Sequence, residues 1–252
     1  MPPVRVVLFD ALFTLVRPRK SVAAQYAQVF EPHLGVISEA AVEKSFPIAL
    51  RDVQKSKPAY AGGKDAWWAD VMRKTAIGAG ANPKAVDHAL PEMLKQLLEA
   101  FRSGEGYSLY TDVRKCLNTL KSSGIRVGVV SNADSRMRDV LVDLEVAGYF
   151  DTIVLSEEES VEKPSPLIWQ RACERIKAPV GPMAASKEIL HVGDELRADY
   201  YGALDSGLDA ILLRRGGSEV PAIRDPYATS LPLDISNVRM VYNLQMVLDY
   251  VR

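Results

Sequence analysis

A carboxylate, Asp10, closes the apolar run Val6-Val7-Leu8-Phe9 and is followed by Ala11-Leu12-Phe13-Thr14. Three other stretches place polar groups in comparable settings. Ser131 and Asn132 follow "RVGVV", Asp194 follows "EILHVG" with Asp199 five residues on, and Lys163 precedes a proline in "VEKPSP". Each has a plain reading by itself, since an Asp or a Ser-Asn pair can cap a helix, a loop lysine can be solvated, and Asp199 can be a surface acid. Together they form a set able to bind a divalent metal and a phosphate. A carboxylate attacks phosphorus when Mg2+ and a lysine offset the repulsion between two anions, giving an aspartyl phosphate that water then hydrolyses.

In that chemistry Asp10 is the nucleophile and Lys163 neutralises the developing charge. Magnesium takes a few oxygen ligands and keeps water and phosphate for the rest, so Asp10, the backbone carbonyl of Leu12 and Asp194 suffice, with Asp199 holding their arrangement. Thr14, Ser131 and Asn132 are the candidates for hydrogen bonds to the phosphoryl oxygens. The substrate expected is a phosphorylated small molecule.

These residues can act together only if the elements bearing them converge. Val4–Phe9 is a short β-branched run suited to a strand buried on both faces. From about Val22 to Phe101 the chain reads as helix-length pieces rich in Ala, Leu, Glu and Lys, with no strand required. After "SGEGYS" (Ser103 to Ser108), helix-length and strand-length segments alternate: "DVRKCLNTLKSSG" then "RVGVVS", "SRMRDVLVDLEV" then "TIVLS", "SPLIWQRACERI" then "EILHVG", and "LRADYYGALDSG" then "DAILLRR". Such alternation predicts a doubly wound α/β fold with a parallel sheet covered on both faces. Ligands in such sheets bind beyond the carboxyl ends of the strands, where all the candidate residues fall. The expected division is a core of residues 1–17 and 106–252 and an inserted all-helical domain of residues 18–105. "RPRKS" and "SGEGYS" are expected to be the connecting loops, able to act as hinges. Val238, Val241, Leu244 and Leu248 are spaced for a final helix covering the sheet.

Composition narrows the partners. The 252 residues are 48% hydrophobic and 25% charged, enough for a full core. With 31 basic and 32 acidic residues and no block of like charge, nucleic acid and anionic membranes are not expected as partners. Cys116 and Cys173 read as core thiols of a reducing compartment, and the absence of a long apolar span or a cleavage signal predicts a cytoplasmic protein. Oligomeric state is left open.

"FDALFTL", "VVSNAD", "VEKPSPLIW" and "HVGDELRADYYGALDSG" resemble the four motifs of the haloacid dehalogenase superfamily. With the helical insertion after the first strand, the resemblance spans almost the whole chain. It implies a Rossmann-like core, a mobile helical cap and, usually, Mg2+-dependent hydrolysis of phosphate esters. The chain departs from the family in one respect that matters chemically. The superfamily's phosphatases carry a second Asp two residues after the nucleophile, which protonates the leaving oxygen and later deprotonates water; Leu12 stands there, and Phe13 occupies the next position, usually Gly. Three readings follow: a phosphohydrolase for substrates whose leaving group needs no proton, a catalytically impaired protein that binds phosphate or a partner, and a 2-haloacid dehalogenase, since "FDALFTL" is similar to the dehalogenase form "FDAYGTL". In the insertion, Tyr60, Trp67, Trp68 and Arg73 are placed either to contact substrate or to form helical core, and His191 reads as a hydrogen-bonded core histidine. Arg136 is open to either a phosphate contact or solvent.

Overall fold

The four residues Val6–Phe9 form β1, and all four side chains are buried. A strand without an exposed face belongs inside a sheet covered on both sides. In the computed structural model, which describes residues 4–177, 186–216 and 237–251, β1 has that position.

Along the chain, β1 is followed by the short β2 (Val16–Pro18) and then by four helices, α1 (Val22–Leu34), α2 (Glu39–Ser56), α3 (Lys64–Gly78) and α4 (Pro83–Ala100). β3 (Tyr107–Leu109) leads into alternating elements: α5 (Val113–Ser122), β4 (Arg126–Ser131), α6 (Arg136–Asp143), β5 (Thr152–Leu155), α7 (Ser156–Glu159), α8 (Pro166–Arg175), β6 (Ser186–Gly193), α9 (Gly202–Asp205), β7 (Leu208–Leu213) and β8 (Met240–Val241). The main sheet is parallel throughout, in the order β5-β4-β1-β6-β7-β8, giving the expected α/β Rossmann-like core. Strand residues alternate between faces. Val6 and Leu8 pack with Ile168, Trp169, Ala172 and Cys173 of α8, while Val7 and Phe9 on the opposite face are equally buried.

The chain divides into two compact units, Met1–Arg17 with Leu109–Arg252, and Pro18–Ser108. The helical unit holds its own core, built around Tyr26, Phe30, Val42, Met72, Met93 and Leu97. Its helices begin where side chains satisfy the first free N–H groups: Ser21 accepts from the Ala24 N–H and Ser38 from that of Ala41, while Asn82 caps α4, which opens on Pro83. Trp67 is buried, its Nε1 donates to the Lys57 carbonyl at 2.8 Å, and Tyr60 and Trp68 stack around it. Arg73 is paired with Asp87 at 2.6 Å. The aromatic cluster is therefore packing of this unit. Gly62 and Gly63, both at positive φ, break the chain ahead of α3.

Two expectations are corrected. The connectors are not simple loops, because β2 and β3 pair as a two-stranded ribbon. The predicted last helix is instead the edge strand β8, alongside β7, and a 3-10 turn at Met246–Tyr250. Val241 and Leu244 are still buried there, but the Leu244 N–H is taken by the Asp112 carboxylate and the Met246 N–H by the Asn243 side chain, which favours local turns over a continuous helix. Cys116 and Cys173 are free and buried, and burial pushes their thiols up to about 12 and about 11, as inert core thiols require. No described helix is long and apolar enough to cross a membrane.

Between β1 and β5, Gly128 leaves no room for a side chain: a Cβ there would lie 2.9 Å from both the Leu8 Cδ2 and the Thr152 Cγ2. Gly128→Ala is expected to destabilise the protein by about 1–3 kcal/mol through overpacking, read as a lower denaturant midpoint with an unchanged slope.

Candidate active site

β1 lies between β4 and β6, with Phe9 level with Val129 on one side and Val192 on the other. Asp10, Ser131 and Asp194 therefore emerge side by side at the carboxyl edge, where the chain leaves β1 toward strands on both flanks. The Asp10 N–H donates to the Val192 carbonyl at 2.9 Å, continuing the ladder one residue past β1. Asp10, Ser131, Lys163, Asp194 and Asp199 are all nearly buried.

Lys163 joins them. Its ammonium donates to the Asp10 Oδ1 at 2.6 Å, the Asp199 Oδ1 at 2.6 Å and the Val130 carbonyl at 2.9 Å, using all three of its protons. Burial alone would favour the neutral amine, but the Asp10 and Asp199 carboxylates outweigh it and raise the lysine pKa. The Lys163 backbone is also fixed: its N–H donates to the Asn132 Oδ1 at 2.7 Å, and the Asn132 Nδ2 donates to its carbonyl at 2.9 Å. Both ends of the Asn132 amide are thus engaged in holding the lysine loop, and its second Nδ2 proton is the one left for a phosphate. Arg136 is likewise committed, with its guanidinium on both oxygens of the buried Asp134.

Asp199 is held on every side. Its Oδ1 takes Lys163 and, at 2.9 Å, the His191 Nε2, and its Oδ2 takes the Glu195 N–H at 2.9 Å. Burial raises its pKa, but Lys163 and His191 more than reverse this and hold the carboxyl well below its ordinary range. The glycine that ends β6 is required sterically, because a Cβ on Gly193 would fall 2.2 Å from the Asp199 Cγ. Asp199 reaches this place from a wide turn at Leu196–Tyr201, in which the Tyr200 N–H bonds five residues back to the Glu195 carbonyl. Asp10 has fewer donors, Lys163 and the Ser131 hydroxyl, and burial with the nearby Asp199 charge raises its pKa.

Asp10, Asp194 and Asp199 present carboxylate oxygens within 4.8 Å of one another. Glu195 adds a fourth acid, held well above the usual carboxylate range by burial and by Asp194 and Asp199. Asp10, Asp194 and Asp199 around one lysine leave a local excess of negative charge, and their donors are hard oxygens, the chemistry that suits Mg2+ or Ca2+. Because both oxygens of Asp199 already have donors, Asp10 and Asp194 are the carboxylates that could hold an ion.

The segment after Asp10 turns tightly. The Ala11 carbonyl accepts from the Leu15 and Val16 N–H groups and the Phe13 N–H donates to the Val16 carbonyl at 2.7 Å. This puts Phe13 at φ 63, the left-handed region that glycine occupies without strain, at a cost of about 1–2 kcal/mol. Leu12 is half-buried and brings no titratable group. Thr14 is fully buried and its hydroxyl has no hydrogen-bond partner among the described residues, a polar atom in need of an acceptor or donor.

A family model for haloacid dehalogenase-like hydrolases matches residues 4–207. The chain belongs to this family. Among curated haloacid dehalogenase-like relatives, it is 32% identical over 217 residues to the haloacid dehalogenase-like hydrolase domain-containing protein 3 of Danio rerio, covering 84% of this chain and 86% of the relative. Two solved family folds superimpose along nearly the full length: the 2-haloacid dehalogenase of Pseudomonas syringae (TM-score 0.62, 20% identity, 98% of both chains) and the hydrolase YfnB of Bacillus subtilis bound to magnesium (TM-score 0.68, 17% identity, 99% of both chains). At those identities the likeness concerns the fold alone, and the haloacid dehalogenase-like fold hosts more than one chemistry.

Sequence reasoning passed over Glu195, although it directly follows Asp194, and it read His191 as core without foreseeing its bond to Asp199. Burial lowers the His191 pKa against the pull of Asp199. The unfolded chain therefore binds a proton near 6.5 that the folded protein accepts only at lower pH, so this histidine's contribution to stability is present above about pH 6.5 and is lost as pH falls. In His191→Gln, that part of the acid loss should vanish when denaturant unfolding of wild type and variant is compared at about pH 7.5 and 5.5.

Proposed function

We propose that this protein is a Mg2+-dependent phosphohydrolase that uses Asp10 as nucleophile on phosphorylated small molecules whose leaving group is already a weak base. The observation that carries this reading is the Lys163 ammonium bound at 2.6 Å to both Asp10 and Asp199, with an Asp194 oxygen inside the same cluster. Such an arrangement favours attack on an anion, and a carbon–halogen hydrolase has no need of the extra acids. Mg2+ held by Asp10, Asp194 and the Leu12 carbonyl would supply charge neutralisation on the phosphoryl group.

Asp10 attacks phosphorus with one carboxylate oxygen, the bond from phosphorus to the leaving oxygen breaks, and the leaving group departs with the electron pair. Lys163 keeps Asp10 ionised and aimed, and the Thr14 and Ser131 hydroxyls are candidates for the phosphoryl oxygens. Water then attacks the aspartyl phosphate, releasing phosphate and restoring Asp10. Leu12 can neither give a proton in the first step nor take one in the second. A positioned acid/base contributes typically ~10²–10⁴ in rate, about 3–5 kcal/mol of barrier, which the leaving group must offset through its own low basicity. Diphosphates, acyl phosphates and aryl phosphates meet that condition; alkyl phosphates do not. The second step lacks the same help, so breakdown of the aspartyl phosphate is the slow one. In this reading the helical unit acts as the substrate-selecting cap.

With Mg2+, the wild type is expected to cleave p-nitrophenyl phosphate, a diphosphate or acetyl phosphate, with a burst followed by slower turnover, while Asp10→Asn is inactive. Leu12→Asp is expected to extend activity to alkyl phosphates. Inactivity of wild type and Leu12→Asp on all of these, with Mg2+ still raising the melting temperature, would reject the reading in favour of a phosphate- or partner-binding protein. Metal-independent halide release from a 2-haloacid would instead make the protein a dehalogenase.

A further inference from the structure

β7 is followed directly by two arginines that lie outside the four motifs building the site. Successive residues at a strand end point to opposite sides, and Arg214 and Arg215 reach different loops. The Arg214 Nη1 donates to the backbone carbonyl of Asp194 at 3.0 Å. Arg215 donates to the Thr14 carbonyl through both Nε, at 3.2 Å, and Nη2, at 2.7 Å. One arginine grips the loop carrying the second acid; its neighbour grips the loop carrying the nucleophile.

Arg215 is itself braced. Its guanidinium bonds the Asp112 carboxylate at 3.0 Å and lies 3.8 Å from the centre of the Tyr110 ring, and its side chain is 8% exposed. Asp112 is fixed in turn by the Leu244 N–H at 2.7 Å and by the Gln245 Nε2, which donates to its backbone carbonyl at 3.2 Å. A planar, stacked and paired guanidinium has little freedom to turn. Its two charge-assisted bonds end next to Phe13, the strained residue of the nucleophile loop, where the backbone most needs to be held.

The geometry points to Arg214 and Arg215 as a pair of positioning residues that set the spacing between the acidic loop and the nucleophile loop. Arg214 governs how tightly a divalent ion is held at Asp10 and Asp194, and Arg215 governs how readily Asp10 reaches phosphorus. This rests on the phosphohydrolase reading for the Arg215 half; the Arg214 half is readable from ion binding without turnover.

The test uses the full chain as wild type, Arg214→Gln, Arg215→Gln and Arg215→Lys, each checked for folding by circular dichroism. Mg2+ binding is measured by calorimetry and kcat and KM on p-nitrophenyl phosphate. Arg214→Gln is expected to weaken Mg2+ binding about 10–100-fold, the usual effect of removing an outer partner of a metal ligand, with kcat at saturating Mg2+ unchanged. Arg215→Gln is expected to lower kcat at saturating Mg2+ about 10–100-fold, with a smaller loss of Mg2+ affinity than in Arg214→Gln. Arg215→Lys should recover part of that loss, because a lysine can give one bond to Thr14 but cannot stack and fork. Unchanged Mg2+ affinity in Arg214→Gln, or equal losses of affinity and kcat in both glutamine variants, would overturn the proposal. If Arg215→Gln does not fold, wild-type kcat in Arg215→Lys overturns the Arg215 half. A wild type without turnover defeats the phosphohydrolase reading and with it the Arg215 half, while the Mg2+ titrations still decide Arg214.

Discussion

A buried ammonium cannot stand without partners, and buried carboxylates cannot crowd together without a cation. Lys163 meets both constraints: its three protons end on Asp10, Asp199 and the Val130 carbonyl, tying three sheet-edge segments to one atom. Removing any partner would leave a charge uncompensated in a place water hardly reaches. The surrounding features serve this contact. Asn132 clamps the lysine's backbone, Gly193 gives up a side chain so that Asp199 can approach, and His191 and the Glu195 N–H hold Asp199 from behind.

The same constraint explains the asymmetry between the two acids on the lysine. Asp199 has donors on both oxygens and stays ionised as a fixed element of the frame. Asp10 has fewer donors, and burial works against its charge. That division suits the reaction proposed for Asp10, since a carboxylate saturated with hydrogen bonds would be a poor nucleophile.

Much of this was legible in the chain. Apolar runs of four to six residues alternating with amphipathic segments specify a parallel sheet, and polar residues closing those runs mark its active edge; Asp10, Ser131 and Asp194 follow from pattern alone. What the pattern could not carry was the engagement of each side chain. Asn132 and Ser131 look alike as neighbours in sequence, yet one faces Asp10 while the other turns to the Lys163 backbone, a difference set by contacts about thirty residues away. The end of the chain misled for a related reason. The spacing of Val238, Val241, Leu244 and Leu248 fits a helix, but Val241 is needed at the sheet edge and Asp112 claims the Leu244 N–H, so tertiary demands overrode periodicity. The two arginines after β7 carried a signal that is easy to pass over: charged residues ending an otherwise apolar strand.

The central place of β1 also bears on how the molecule comes to be folded. Val6 pairs with Arg126 and with Ile189, so the strand leading to Asp10 can find its first neighbour only after half of the chain has been made and its second only after about three quarters. The intervening helices make their contacts close in sequence and can settle early, whereas long-range parallel pairing is slow. During synthesis, four fully apolar residues must wait unpaired, an interval in which a chaperone has the most to protect.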